Sequence, residues 1–440
     1  MIYKLSNYNN FVKYNEKIIC FNSLSGALFT INNEQFNLFK KYKQNHKKLA
    51  NSNKILYKLL IKTRFLISKE LDELQLIRFR NRRDVFINNS YNLIINPTLD
   101  CNFKCWYCYE SHPKGRMSED ILKRVEKHIK NLVESNKISK LNLSWFGGEP
   151  LLCFYEIIYK LSKILENIMS KNNLSFSNFI TTNGYLINES IIDKFSKIKL
   201  KEFQITLDGN KDRHNKNRNI NGKPTFKKII KNIIMLCDKL NDINIYLRIN
   251  YDNETLEDII EILDCFPKKY RKMIKIDFQR IWQTYDKGIS FNERLTKIVT
   301  LCENKGFRTS SAHFSLYKGY KCYADRWHQA VINYNGNVYK CTARDFNKKN
   351  RCGYLEKDGK IKWNAQKIIK RFSKSTFNNN MCINCKLLPL CLGPCSQKII
   401  ETKNGDLKTI CHLNLLETSV KDFVINRYKQ LVRKKEKDKN

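Results

Sequence analysis

The sequence predicts an α/β fold: a partial, open (β/α)6 TIM-like barrel, preceded by a small α+β domain and followed by a cysteine-rich domain. Three observations predict it. Strand-like runs alternate with amphipathic segments six times between residues 91 and 279. Four consecutive runs end in unusual loops, "CNFKCWYC", "GGEP", "TNG" and "DG". The remaining clustered cysteines lie beyond residue 320. Alternating units require parallel pairing through crossovers, and six are too few to close an eight-stranded barrel.

The elements follow in order. Residues 1–88 open with "KIICFNS" and "GALFTIN", separated by "LSG" turn chemistry, which predicts a small β-ribbon. "NNEQFNLFKKYKQ" and "NKILYKLLIKTRFLI" follow with apolar residues at helical spacing. Cys20, inside a strand-like run, is expected to be buried packing. The barrel, 89–310, has strands in "YNLIINPT", "KLNLSWF", "SNFITTN", "EFQITLD", "INIYLRIN" and "MIKIDFQ". Between the first two, Ile121, Leu122, Val125, Ile129 and Leu132 recur at helical steps after Ser118 as N-cap. Further helical segments are 155–171, 188–197, 225–240 and 254–264. Residues 311–425 hold the second cysteine set, and 426–440 form a basic tail.

At 440 residues, 42% of them hydrophobic, the chain is expected to form two or three domains with a sizeable core. It has no apolar h-region after Met1 and no apolar run near the roughly 18 residues of a membrane span. The expectation is a soluble cytoplasmic protein without a membrane partner. Its 16 cysteines are then reduced thiols, and their clustering points to metal. The net charge of +39 is spread along the chain with abundant Asn and Ile, as coding bias in an AT-rich genome would produce. An acidic partner, peptide or nucleic acid, is the other explanation.

"CNFKCWYCYE" spaces Cys101, Cys105 and Cys108 as C-x3-C-x2-C. Three thiolates leave a [4Fe–4S] cube one ligand short, and so open to a substrate. His112 extends the pattern to a possible Cys3His zinc site. The neighbouring loop favours the cluster: Gly147 and Gly148 let backbone approach a ligand closely, and Glu149 could hold an ammonium group.

C-x3-C-x2-C after the first strand, with GGEP after the second, resembles the radical S-adenosylmethionine superfamily over roughly residues 92–280. The resemblance implies that Cys101, Cys105 and Cys108 bind a cluster whose open iron chelates S-adenosylmethionine. Reductive cleavage of that sulfonium then gives a 5′-deoxyadenosyl radical. Tyr107 would lie against the adenine, and Gly147, Gly148 and Glu149 would hold the methionine amino end. Thr182, Asn183, Asp208, Arg218 and Asn250 would line the nucleoside and carboxylate pockets.

The second set reads Cys322, Gly336, Cys341, then Cys382, Cys385, Cys391, Cys395 and finally Cys411. Seven cysteines are one short of two zinc sites, whereas the intervals resemble those of the SPASM domain, which carries two auxiliary clusters. That resemblance implies Cys382, Cys385, Cys391 and Cys411 at the outer cluster and Cys322, Cys341 and Cys395 at the inner one. The inner cluster lacks a ligand, with Cys352 and His328 the nearby candidates. Cys237, Cys265 and Cys302 look like core, and Cys153 has no spacing partner.

The expected cofactors are three [4Fe–4S] clusters and S-adenosylmethionine. The expected function is maturation of a ribosomally made precursor peptide by a thioether, carbon–carbon cross-link or epimerisation. Residues 1–88 are similar in pattern to peptide-recognition domains, so an acidic leader is an expected partner, with a flavodoxin or ferredoxin as reductant. The alternative is an anaerobic sulfatase-maturating enzyme. That group commonly has an acid after the second SPASM cysteine, where this chain has Thr342, leaving Asp345 and Asp325 as candidate bases. A basic iron–sulfur protein acting on RNA is a further alternative, resting on charge alone.

Overall fold

The computed structural model describes residues 2–87, 89–281, 292–310, 322–373, 376–402, 407–415 and 418–437. The chain divides into two compact units: Met1–Val85 with Ala312–Cys322 and Phe372–Asn440, and Phe86–Ser311 with Tyr323–Arg371. This differs from the boundaries drawn at 88, 310 and 425. The N-terminal segment is not a unit by itself, and part of the cysteine-rich region belongs with the barrel strands.

In the first unit the strands are β1 (Tyr3–Leu5), β2 (Asn9–Tyr14), β3 (Lys17–Asn22), β4 (Leu28–Ile31) and β5 (Leu66–Ser68). β2, β3 and β4 form an antiparallel sheet, one strand more than the expected ribbon, while β1 pairs with β5. Helices Asn33–Tyr42, His46–Ser52 and Lys54–Lys62 follow β4. Asn32 starts the first through a capping box with Gln35, which satisfies two otherwise orphaned amides.

The apolar run of β3 explains the unit. Ile18 and Cys20 pack with Phe39, Leu49, Leu56 and Leu60, as expected for a buried Cys20. Ile19 and Phe21, pointing the other way, pack with Leu387, Leu390, Phe423 and Val424. A strand buried on both faces needs no polar alternation. The last helix, Val420–Lys437, therefore takes in most of the expected basic tail, and Phe423 and Tyr428 place their rings 6.1 Å from Phe21 and Tyr14.

The second unit carries β6 (Ser90–Asn96), β7 (Lys140–Trp145), β8 (Ser175–Thr182), β9 (Leu200–Asp208), β10 (Asn244–Tyr251) and β11 (Ile274–Arg280). These are the six expected strands, parallel and in sequential order. Two more parallel strands flank them: β12 (Arg308–Ser310) beside β11, and β13 (Gln329–Asn333) beside β6. Antiparallel β14 (Asn337–Tyr339), β15 (Gly353–Leu355) and β16 (Ile361–Trp363) continue past β13. The order ends at β12 and β16, so among the described residues the sheet is open.

One sheet face meets helices and is apolar, with Leu93, Ile95, Leu143 and Phe203 fully buried. The other face is polar. Asn92, Asn142, Ser177, Gln204, Arg248 and Lys275 are half-buried on it, and Asn142 bonds Ser90, Asn92 and Ser177 across three strands. A parallel sheet covered on both sides would read as apolar throughout. This one keeps one side polar.

The helix Glu119–Glu134 buries Ile121, Leu122, Val125 and Ile129 as expected, although Val133 replaces Leu132 at the interface. It also buries His128, which bonds Tyr91 Oη at 2.7 Å and the Gly359 carbonyl at 2.8 Å. Burial pushes the imidazole down to about 4, so it folds neutral. The unfolded chain takes up this proton near pH 6.5 while the folded one refuses it until about pH 4. Stability is therefore full above pH 6.5 and lost as pH falls towards 4, by about 3 kcal/mol. In denaturant titrations across that window, His128→Gln is expected to flatten the pH dependence relative to wild type; an unchanged slope refutes the assignment.

Candidate active site

The loop after β6 carries the first three cysteines on a frame of local hydrogen bonds. Thr98 Oγ1 donates to the Gly115 carbonyl and accepts the Asp100 amide at 3.0 Å, and the Met117 amide closes the loop on the Pro97 carbonyl at 2.8 Å. Asp100 Oδ1 accepts the Cys101 amide at 2.9 Å. Amides are turned on the sulfurs: Phe103 N lies 3.4 Å from Cys101 Sγ, and the Tyr109 and Glu110 amides face Cys108. Burial pushes the Cys101 thiol up to about 12 and raises Cys105 and Cys108, while Arg218 pulls against burial at all three. Amide donors and a shared cation stabilise thiolates once a metal takes their protons.

Among the described residues no three His, Cys, Asp or Glu side chains converge on a single metal ion. His112, the fourth ligand of the zinc reading, has Nδ1 at 2.9 Å from the Leu99 carbonyl and Nε2 at 3.2 Å from Cys108 Sγ. The donor set fits a cluster, with Cys101, Cys105 and Cys108 as the residues to hold it.

The GGEP loop is positioned by that cysteine loop. A Cβ on Gly147, whose φ is +103°, would lie 2.3 Å from the Thr98 carbonyl oxygen. A Cβ on Gly148 would lie 2.2 Å from that of Asp100. The glycines thus admit a close approach to the neighbouring backbone itself, where the sequence pointed to a ligand. Glu149, fully buried, accepts the amides of Leu151 at 2.9 Å and Asn183 at 2.7 Å and the Thr182 hydroxyl at 2.8 Å. Burial raises its carboxyl to about 6, against the pull of these donors. The expected ammonium-binding side chain is a strut between the loops after β7 and β8. Asn183 extends it, donating to Asn102 Oδ1 at 2.7 Å.

Tyr107, Asp208, Arg218 and Asn250 meet, although 143 residues separate the first from the last. Tyr107 Oη donates to Asp208 and accepts from Arg218 Nη1 at 2.8 Å and Asn250 Nδ2 at 3.2 Å. Asn250 Nδ2 also lies 3.2 Å from Asp208 Oδ1. Burial opposes the Arg218 charge, but Cys105, Tyr107 and Asp208 together hold it firmly protonated. The aromatic expected to lie against adenine has its hydroxyl committed to the three polar residues expected around the nucleoside.

Of the second set, Cys382, Cys385, Cys391 and Cys411 gather in the first unit; burial raises the thiols of Cys382 and Cys391, and the neighbouring Cys385 and Cys411 raise them further. The Leu387 and Leu388 amides face Cys385 and the Gly393 amide faces Cys391. This set, too, fits a cluster. Cys322 and Cys395 fall in the first unit and Cys341 in the second. Cys352 is buried, with Sγ 3.5 Å from the Asn350 carbonyl. Cys153, Cys237 and Cys302 are buried, and Cys265 is half-exposed.

Asp345 accepts from the Ser111 amide and hydroxyl at 3.1 Å and from Asn347 at 3.2 Å, so it staples the cysteine loop. Asp325 is buried in a short turn before β13. Thr342 lies between two tyrosines: its carbonyl accepts from Tyr109 at 2.8 Å and its hydroxyl pairs with Tyr323 at 2.5 Å. Lys340, also buried, donates to the carbonyls of Arg326, Trp327 and Gln329. Its burial was invisible among 81 basic residues.

Gly148→Ala is expected to abolish S-adenosylmethionine binding, measured by equilibrium dialysis on reconstituted protein, because backbone atoms rather than a flexible side chain occupy the space. Glu149→Gln turns an acceptor into a donor facing the Asn183 amide, costing about 1–3 kcal/mol. It is expected to weaken binding about tenfold or more. Wild-type binding by either variant would refute the loop assignment.

Residues 95–266 match the Radical SAM superfamily. The radical SAM cyclopropyl synthase TigE of Paramaledivibacter caminithermalis is 25% identical over 339 residues, 70% of this chain and 68% of that protein. The solved structure of native anSMEcpe with bound AdoMet and Cp18Cys peptide is similar at TM-score 0.60 and 22% identity, over 79% of this chain and 99% of that one. Streptococcus suis SuiB bound to S-adenosylmethionine is similar at TM-score 0.52 and 17% identity, over 92% of this chain and 98% of that one. The cysteine loop, the GGEP loop and most of the parallel strands that present them lie within the matched segment, so this chain contains a radical SAM domain.

Proposed function

We propose that this enzyme matures a ribosomally made precursor peptide, taking hydrogen from it to install a thioether, a carbon–carbon cross-link or an epimerised centre. The carrying observation is the polar, half-buried face of the sheet whose strand β6 leads into the Cys101–Cys108 loop. It suits an extended chain whose own amides need partners. The likeness to anSMEcpe and SuiB, solved with a bound peptide and with precursor peptide SuiA respectively, supports the reading. A reduced cluster with S-adenosylmethionine would supply the carbon radical; Cys101, Cys105 and Cys108 would hold the cluster, and Asp208 and Arg218 would position the cofactor.

The first unit would recognise an acidic leader. β4 pairs with β3 alone among the described strands, leaving an edge for an added strand. Lys40, Lys41, Lys43, Lys47 and Lys48 are exposed on the following helices and turn. They would speed encounter with an acidic segment and make binding salt-dependent. A flavodoxin or ferredoxin would supply electrons, and the site of action would be the cytoplasm. Among the described residues no helix is long and apolar enough to cross a membrane.

The alternative, formylglycine formation on a sulfatase, needs a base after Cys341. Thr342 offers a hydroxyl tied to Tyr323 there, and Asp345 is engaged by the cysteine loop. Peptide maturation is therefore favoured.

Three cubes require about twelve irons per chain. Replacing Cys101, Cys105 and Cys108 together by Ala is expected to remove about a third of them and all release of 5′-deoxyadenosine; continued release refutes the cluster assignment. Converting the five lysines to Glu is expected to raise the KM for a full-length precursor about tenfold. Cofactor cleavage without substrate should stay unchanged. An unchanged KM removes the leader role.

A further inference from the structure

His214 is absent from the motifs above, yet it is completely buried and meets the backbone of Asp208. It lies in the short helix Lys211–Asn217 that follows β9. Asn210 caps this helix by accepting the Arg213 amide at 3.2 Å. His214 Nδ1 lies 3.3 Å from the Asp208 amide, and Nε2 lies 3.1 Å from Thr225 Oγ1. The Thr225 hydroxyl donates to the Arg218 carbonyl at 2.5 Å.

The chain of donors has one consistent reading. An amide can only donate, so Nδ1 accepts from Asp208. Thr225 spends its proton on the Arg218 carbonyl, so its oxygen accepts from Nε2–H. His214 is then the neutral Nε2–H tautomer, and burial, pushing its pKa down to about 3, keeps it so. Asn215 locks the far end, its Oδ1 accepting the Thr225 and Phe226 amides at 3.0 Å each. The Phe226 ring meets the imidazole edge-on at 5.5 Å.

We propose that His214 is a positioning residue for the cofactor. It ties the backbone of Asp208, at the end of β9, to that of Arg218, after the helix, and so fixes the separation of the two side chains that meet at Tyr107. A carboxylate and a guanidinium held at a set spacing match a ligand with both hydroxyl donors and a carboxylate, as a nucleoside joined to an amino acid presents. Helix and loop fluctuations would otherwise vary that spacing. The inference rests on Asp208 and Arg218 contacting S-adenosylmethionine.

The test compares reconstituted variants for S-adenosylmethionine affinity, by equilibrium dialysis, and for KM and kcat of reductive cleavage. His214→Phe keeps the ring volume but strands the Asp208 amide and the Thr225 oxygen. It is expected to raise Kd and KM about tenfold with kcat within about threefold. His214→Asn keeps an acceptor for Asp208, and His214→Gln a donor for Thr225. Each is expected to recover part of the affinity, and they stand in if the Phe variant does not fold. Asp208→Ala separates the two readings. If it loses affinity while every folded His214 variant binds like wild type, the positioning role is overturned and the Asp208 contact survives. If Asp208→Ala itself binds normally, the contact is wrong and the inference falls with it. A drop in kcat at unchanged KM also overturns it, since positioning a bound ligand must register in its affinity.

Discussion

The barrel site depends on two backbones approaching closer than any side chain permits. The carbonyls of Thr98 and Asp100 occupy the space that a Cβ at Gly147 or Gly148 would need. The Asp100 carbonyl also accepts the Glu149 amide at 2.9 Å, so contact and hydrogen bond fix the same geometry. Everything attached to either loop inherits that registration. Cys101 follows Asp100 directly, and the Glu149 carboxylate carries the fix onward to Thr182 and Asn183. A buried carboxylate is costly unless its oxygens are satisfied, and three donors here satisfy it. The strut is rigid because it has no cheap alternative conformation.

The same economy shapes the opposite rim. Asp208 and Arg218 are both buried, a placement that is unfavourable for either charge alone. They persist as a group because Tyr107 bridges them, Asn250 donates to the carboxylate, and His214 anchors the backbone of one to the neighbourhood of the other. The cysteine loop thus touches both rims, through Asp100 on one side and Tyr107 on the other. A cofactor between them would meet surfaces already held in place, so little ordering would be left for binding to supply.

The first unit is organised by a single strand. β3 has no polar face because helices cover one side and the C-terminal segment the other, and cysteines of the four-thiol set share the second core with Ile19 and Phe21. The β2–β4 sheet and Cys382, Cys385, Cys391 and Cys411 therefore reside in one folding unit, although the sequence separates them by more than 300 residues.

The sequence by itself determined what local spacing encodes. The six parallel strands were legible from alternation, and the helix at Ser118 from its cap and period. The two groups of cysteines were legible from intervals, because residues on one loop are near in sequence and so near in space. The tertiary structure decided what spacing does not encode. β12 and β13 are strands of three and five residues, too short to show a period, and pairing with β11 and β6 alone defines them. That Glu149 is a strut follows from donors on a different strand, and that His214 matters follows from contacts at Asp208 and Thr225 on either side of its helix. A buried histidine and a surface one read alike in a sequence; only the fold removes the water that would otherwise satisfy its nitrogens.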